Sequence, residues 1–262
     1  MIPKIIHYCW FGNGLMPAAQ KDCIKSWRRT MPDYEIKRWD ETNFDVESIP
    51  YVKNAYQNKK YAFVSDYARL CALYTEGGFY MDTDVEVFSS FDKFRKYNLV
   101  SGIEYYPEFE EYADLLNENK TPKNPNQYIP YLGFLSAMIG AQKDNWLIND
   151  VLEFYQQLTP DSSAWNGIVI DGLIAHKALK YNFVYEDKEQ LLKDNMLILP
   201  SDVFCCLKSK VNDKSVLLHY TAQSWTPKTK KEKLHIQLDK LHLLKWYKKA
   251  AKIKRNICRK KS

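Results

Sequence analysis

One continuous stretch, residues 61–88, constrains the fold of this chain more than any other. It reads YAFVSDYARLCALYTEGGFYMDTDVEVF. Apolar residues recur at helical spacing from about Ala62 to Glu76, which predicts an amphipathic helix. Gly77 and Gly78 favour a helix end, because glycine tolerates the left-handed backbone of a C-cap. A short apolar strand and an Asp-Thr-Asp sequence complete the stretch.

Two carboxylates stand together at the end of this predicted strand. On an extended chain, residues i and i+2 share a face, so we expect Asp82 and Asp84 to point the same way and Thr83 to point opposite. Two buried like charges cost free energy unless a cation lies between them. Magnesium or manganese suits such oxygen ligands and keeps positions open for substrate phosphates. A lone Asp-x-Asp is more often a solvated turn, but apolar residues flank this one on both sides.

The predicted helix also carries an acid and a base on one face. Asp66 and Arg69 are three residues apart, a spacing that makes helical neighbours. One interpretation is a surface ion pair, which contributes little to stability. The other is that this part of the helix faces the same cleft as Asp82.

The order of these motifs resembles a known enzyme family. Ser65-Asp66-x-x-Arg69, a Gly-Gly pair, an aromatic residue and Asp82-x-Asp84 occur in sequence. The stretch is similar to the DxD-containing sugar-binding region of family 32 glycosyltransferases, which include bacterial capsular polysaccharide transferases and fungal mannosyltransferases. It resembles the large clostridial glucosylating toxins more distantly. The resemblance implies a GT-A-type fold and transfer of a hexose from a nucleotide diphosphate sugar, with retention at the anomeric carbon.

The resemblance further implies roles for residues along the whole chain. Manganese or magnesium would be held by Asp82, Asp84 and His219. The implied donor-binding residues are Trp10, which would stack on the base, Ser65, Asp66, Arg69, Gln223, and the diphosphate-binding Ser224 and Trp225. Taken alone, the tryptophan and the histidine would more often be core residues. Asp171 is either a helix N-cap or a catalytic residue in the acceptor pocket.

Strands and helices alternate across the first 90 residues, which predicts an α/β fold with a mainly parallel, Rossmann-like sheet flanked by helices. The first strand begins at Ile5 and places Trp10 at its carboxyl end, where such sheets usually bind ligands. The segment from Glu104 to Gln127 is acidic and proline-rich. We expect it to form a variable surface segment or lid that carries acceptor contacts.

Charge divides the chain into two parts. Residues 228–262 contain 14 Lys or Arg and two acidic residues, a net charge of +12, although the whole chain carries only +6. Leucines at helical spacing and Trp246 predict a basic amphipathic helix in this part. We therefore expect a catalytic domain over residues 1–227 and a helical tail that binds an anionic membrane. A helix packed on its own domain remains an alternative, and nucleic acid is not an expected partner.

Other sequence features indicate the compartment. The six cysteines show no metal-binding spacing and are expected to be reduced. We find no signal peptide and no apolar run approaching the length of a membrane span. We therefore expect a cytoplasmic protein, peripheral on the inner face of the membrane, with a glycan or lipid-linked glycan as acceptor.

Two other classes of function stay open at this point. One is a magnesium-dependent phosphotransferase or phosphatase that uses the Asp-x-Asp pair. The sequence Val85-Glu86-Val87 after the pair differs from the turn such enzymes carry there. The other is a non-catalytic module on a membrane surface. Metal-dependent hydrolysis of a nucleotide sugar would separate a transferase from both.

Overall fold

The computed structural model describes residues 1–158, 170–205 and 207–221. Its helices are α1 (Ala18–Thr30), α2 (Pro50–Gln57), α3 (Tyr61–Glu76), α4 (Trp146–Gln156) and α5 (Ile170–Ala178). Its strands are β1 (Ile5–Cys9), β2 (Glu35–Trp39), β3 (Gly78–Met81), β4 (Val85–Val87), β5 (Leu99–Tyr105), β6 (Leu132–Ala141), β7 (Gln190–Leu192), β8 (Met196–Leu199), β9 (Phe204–Cys205) and β10 (Leu217–His219).

The strands form two sheets. The larger has seven strands in the order β2-β1-β3-β6-β5-β8-β7. Strand β1 runs parallel to both β2 and β3, and β5 runs parallel to β8. Strand β6 runs antiparallel to both of its neighbours. The predicted α/β class is confirmed, and the parallel order predicted for the first 90 residues is present in β2-β1-β3.

The helix and glycine pair predicted at the start of the key stretch are both present. Helix α3 ends at Glu76, and Gly77 and Gly78 follow with φ of 67° and 107°. A Cβ atom on Gly78 would lie 2.8 Å from the Ile5 carbonyl oxygen. Glycine is therefore needed here both for the backbone conformation and for the close approach of β3 to β1.

Apolar side chains bury both faces of the large sheet. Phe79 and Tyr80 are consecutive residues of β3, and they belong to two different buried clusters. Alternate residues of a strand point to opposite faces, so the sheet separates these clusters. One cluster contains buried side chains of α2, α3, α4 and α5. The other contains side chains of α1 and of the small sheet, whose order is β4-β10-β9.

The segment predicted to be a surface lid has little regular structure. It contains a 3-10 helix at Pro107–Leu115 and a bridge between Leu116 and Pro122. In the described parts of the chain, no helix combines the length and the apolar character that a membrane crossing needs. The expected domain boundary at residue 227 and the basic tail lie outside the described residues.

Trp27 joins α1 to the small sheet and offers a test of this packing. Its side chain is fully buried, and its Nε1–H donates to the Val85 carbonyl oxygen at 2.7 Å. Trp27→Ala should lower the free energy of unfolding by about 3–5 kcal/mol, because it opens a cavity and leaves a buried carbonyl unpaired. Urea unfolding measures the change. Trp146→Ala is the control, since Trp146 is 70% exposed, and an equal loss in both variants would contradict the prediction.

Candidate active site

The two acidic residues of the Asp-x-Asp sequence lie in a turn at the carboxyl end of β3. The Val85 N–H donates to the Asp82 carbonyl oxygen at 3.1 Å and closes this turn. The expectation that Asp82 and Asp84 lie on an extended strand is therefore wrong. The chain has to turn here because β3 belongs to the large sheet, whereas β4 pairs with β10 in the small one.

The turn brings both carboxylates to the histidine predicted as their partner. His219 ends β10 opposite Val85 of β4, and the Tyr220 N–H donates to the Asp84 carbonyl oxygen at 3.0 Å. His219 Nε2 lies 3.4 Å from Asp84 Oδ1. One ligand atom from each of Asp82, Asp84 and His219 lies within 4.8 Å of the others. The three predicted metal ligands are thus together, although they come from distant parts of the sequence.

The chemistry of this group fits a divalent metal. Burial lowers the pKa of His219, but the hydrogen bond to Asp84 and the charges of Asp84 and Asp82 raise that pKa above its ordinary value. The site therefore attracts positive charge, which a proton or a metal ion can supply. His219 Nδ1 is buried without a hydrogen-bond partner among the described residues. Two carboxylates and a neutral imidazole are acceptable ligands for manganese.

The acid and base of α3 are buried beside this group. Arg69 Nη2 lies 2.8 Å from Asp66 Oδ1 and 3.5 Å from Asp82 Oδ1. Its Nη1 donates to the Ser136 carbonyl oxygen at 2.9 Å, and the guanidinium lies 4.6 Å from the centre of the Tyr80 ring. The ion pair is therefore not a surface pair, and α3 faces the same site as Asp82.

The site carries more negative charge than Arg69 neutralises. Burial, together with the charges of Asp171 and Asp82, raises the pKa of Asp66 to about 7 against the lowering effect of Arg69. A carboxyl group with this pKa is poised between its charged and uncharged forms near neutral pH. A metal ion at Asp82 and Asp84 would favour the charged form.

An irregularity in β6 connects the parts of the site. Ser101 of β5 pairs with Ile139, but Ile103 pairs with Phe134, so β6 carries extra residues between these positions. Within this bulge, the Ser136 N–H donates to Asp171 Oδ1 at 2.9 Å. The Ala137 carbonyl oxygen accepts from the Asp82 N–H at 2.9 Å. The backbone of the bulge thus holds α3, α5 and the Asp-x-Asp turn at once.

Asp171 lies in the site, although its role as a catalytic residue stays a prediction. It is in the first turn of α5 rather than at the N-cap, and its side chain points to Ser136 of β6. Sequence reasoning missed its partner, Glu104, which lies near the end of β5 and hydrogen-bonds to Asp171. The signal that could have found Glu104 is an acid that follows the apolar run Leu-Val-Ser-Gly-Ile at a strand end.

Only some of the predicted donor-binding residues lie in the part of the chain that the structure describes. Trp10 follows β1, which is the parallel neighbour of β3, so it lies at the same edge as Asp82. It is partly exposed rather than a core residue, and its Nε1–H donates to the Gly14 carbonyl oxygen at 2.7 Å. The Ser65 hydroxyl donates to the Tyr61 carbonyl oxygen in its own helix. The roles predicted for Gln223, Ser224 and Trp225 concern positions outside the described residues.

Replacing the buried arginine tests the charge balance of the site. Arg69→Met should lower the free energy of unfolding by about 3–5 kcal/mol, because it breaks the ion pair with Asp66 and removes the donor to the Ser136 carbonyl oxygen. Urea unfolding at neutral pH measures the loss. Lys25→Met is the matched control, since Lys25 also pairs with an acid three residues away but is 74% exposed. A similar unfolding midpoint for Arg69→Met and wild type would contradict this account.

Comparisons with known proteins agree with the geometry. Residues 17–101 match the family described as the glycosyltransferase sugar-binding region containing the DXD motif. Inositol phosphoceramide mannosyltransferase 3 of Schizosaccharomyces pombe is 35% identical over 91 residues, which are 32% of this chain and 24% of that protein. The chain therefore spans about a quarter of the length of this relative.

Two solved glycosyltransferase structures resemble the chain over a larger part of its length. The PaToxG glycosyltransferase has a TM-score of 0.44 and 17% identity, with coverage of 68% of this chain and 69% of the other. The galactosyltransferase LgtC, solved with donor and acceptor sugar analogues, has a TM-score of 0.45 and 13% identity, with coverage of 84% and 87%. Both TM-scores are below 0.5, so the interpretation of residues 17–101 depends on the family match. Residues 17–101, with α3 and the Asp-x-Asp turn, match a glycosyltransferase sugar-binding region of the DXD type, the family that their sequence resembles.

Proposed function

We propose that this chain is a metal-dependent, retaining glycosyltransferase that transfers a hexose from a nucleotide diphosphate sugar to a glycan acceptor. One observation carries the proposal. The carboxylates of Asp82 and Asp84 meet the His219 imidazole within 4.8 Å, next to a buried Asp66–Arg69 pair. The Asp-x-Asp pair and the ion pair lie in the matched sugar-binding region, and the histidine completes a ligand set from outside it.

The chemistry follows from where negative charge develops. Breaking the glycosyl–phosphate bond leaves charge on the departing diphosphate, and a divalent ion at Asp82, Asp84 and His219 would supply Lewis-acid stabilisation of it. Arg69 fixes the Asp66 carboxylate, which is thereby oriented to accept hydrogen bonds from hydroxyl groups of the donor sugar. The acceptor hydroxyl gives its proton to the departing phosphate.

Binding of the nucleotide diphosphate is assigned to residues at the same edge. Trp10 would stack on the base, and Ser224 and Trp225 would contact the diphosphate. A UDP-sugar is the favoured donor, with GDP-mannose as the alternative, since a relative is named a mannosyltransferase. Synthesis of a capsular or other surface polysaccharide is the role that we propose for the reaction.

Removing a metal ligand tests this function. Asp84→Ala should reduce manganese-dependent hydrolysis of the preferred nucleotide sugar by about 100-fold or more, because the charge on the diphosphate loses its stabilisation. Asp82→Ala should be nearly as severe. Product release from a panel of UDP- and GDP-sugars measures the effect, and Asp22→Ala, which changes an exposed acid, is the control. Wild-type hydrolysis by Asp84→Ala would refute the metal site, and preferential hydrolysis of a simple phosphate ester would favour a phosphatase.

We also propose that the basic segment, residues 228–262, holds the protein on the anionic cytoplasmic face of a membrane. Its net charge of +12 supports this, because each cationic side chain near an anionic surface contributes about 1 kcal/mol. The full-length protein should co-sediment with anionic but not neutral vesicles, and less so as salt rises. A chain ending at Pro227 should lose this binding and still hydrolyse the donor. Equal binding by both forms would reject the idea.

A further inference from the structure

A second group of polar side chains lies beside the candidate metal site and has no part in the donor chemistry proposed above. Glu104, near the end of β5, hydrogen-bonds to Asp171 in the first turn of α5. The Tyr106 hydroxyl donates to Glu104 Oε1 at 2.9 Å. The pair adjoins the Asp-x-Asp turn, because the Ser136 N–H bonds to Asp171 and the next carbonyl along β6, that of Ala137, accepts from the Asp82 N–H.

The backbone holds the two carboxyl groups together. Glu104 pairs across the sheet with Gly133 of β6. A Cβ atom on Gly133 would lie 2.8 Å from the Asp171 carbonyl oxygen, so glycine lets the first turn of α5 approach the strand. The Ser136 N–H fixes Asp171 Oδ1 from the other side at 2.9 Å. Backbone contacts therefore hold Glu104 and Asp171 near each other.

Two carboxyl groups in contact present an unusual combination of hydrogen-bonding atoms. Burial raises the pKa of Glu104 well above its ordinary value, and the neighbouring Asp171 raises it further. A raised pKa favours the protonated form of Glu104, in which the pair offers both a donor and several acceptors. Neighbouring hydroxyl groups of a sugar also offer both donors and acceptors, so they can form hydrogen bonds with the carboxyl pair.

An exposed aromatic residue is joined through the backbone to Tyr106, the residue that bonds to Glu104. The Tyr106 N–H donates to the Tyr131 carbonyl oxygen at 2.9 Å, so the residue that bonds to Glu104 also holds Tyr131. Tyr131 is 45% exposed, has a φ of 64° and contacts the Tyr112 ring with centroids 5.5 Å apart. Positive φ is costly for a bulky residue, and residues held in this way cluster at functional sites. The exposed ring offers an apolar face with a polar edge.

We propose that Glu104, Asp171 and Tyr131 form the acceptor subsite, which takes a pyranoside. Hydroxyl groups of the pyranoside bond to the carboxyl pair, and its apolar C–H face lies on the Tyr131 ring. The inference rests on the proposed glycosyltransferase function and adds the acceptor side of the site. The donor sugar is assigned to Asp66 and Arg69 of α3, whereas these residues come from β5, α5 and the chain before β6, on the other side of the Ser136 bulge.

Binding of simple glycosides tests the subsite without any turnover. The probes are methyl α-D-mannopyranoside, methyl β-D-galactopyranoside and methyl β-D-glucopyranoside. Their binding to the full chain is measured by saturation-transfer NMR. Each measurement is made once without nucleotide and once with UDP or GDP and magnesium. At least one probe should bind the wild type. Glu104→Ala and Tyr131→Ala should each weaken its binding by about ten-fold, the effect of losing one good contact.

Matched variants separate a binding role from a structural one. Glu104→Gln keeps a neutral hydrogen-bonding group of the same shape, and Tyr131→Phe keeps the ring, so both should bind the probe within about three-fold of wild type. Glu111→Gln changes an exposed acid in the same segment and should have no effect. If Glu104→Ala fails to fold, the Tyr131 variants decide the outcome. In transfer assays, Glu104→Ala should raise the KM for the glycoside more than it lowers kcat.

Two results would overturn the subsite, and neither depends on the donor reaction. One is the absence of binding by all three glycosides to the wild type. The other is unchanged glycoside binding in Glu104→Ala and Tyr131→Ala. Failure of the proposed function would look different, because glycosides would bind while no nucleotide sugar is hydrolysed in the presence of metal.

Discussion

The buried guanidinium of Arg69 is the interaction on which the rest of the site depends. It contacts Asp66 in its own helix, Asp82 at the end of β3 and the Ser136 carbonyl in the bulge of β6. A buried cation is stable only with such partners, and the acids can stand close together only because the cation is there. The packing of α3 on the sheet therefore also brings the charged residues of the site together.

The features that the sequence predicted well are those decided by neighbours along the chain. Helix α3, its glycine end and the pairing of Asp66 with Arg69 depend on spacings of a few residues, and all three are present. The grouping of Asp82 and Asp84 with His219 could not come from spacing. It was predicted from a family resemblance, and the structure places the three side chains together.

The features that the sequence did not predict depend on pairing between distant strands. The Asp-x-Asp turn exists because β4 leaves the large sheet to pair with β10. The β6 bulge follows from two incompatible registers against β5. Glu104 enters the site only because Gly133, opposite it, lets α5 approach. None of these leaves a periodic pattern in the sequence, whereas every helix and strand that was predicted does.

The pairing of β10 with β4 has a consequence for how the protein is made. Asp82 and Asp84 leave the ribosome early, with the sugar-binding region, whereas His219 arrives only with the last described strand. The nascent chain can therefore form α3 and most of the large sheet before its ligand set is complete. Until β10 docks, Arg69 is beside Asp82, but the imidazole that lies 3.4 Å from Asp84 is still missing. Synthesis thus imposes an order in which the scaffold comes first and the metal-binding chemistry comes last.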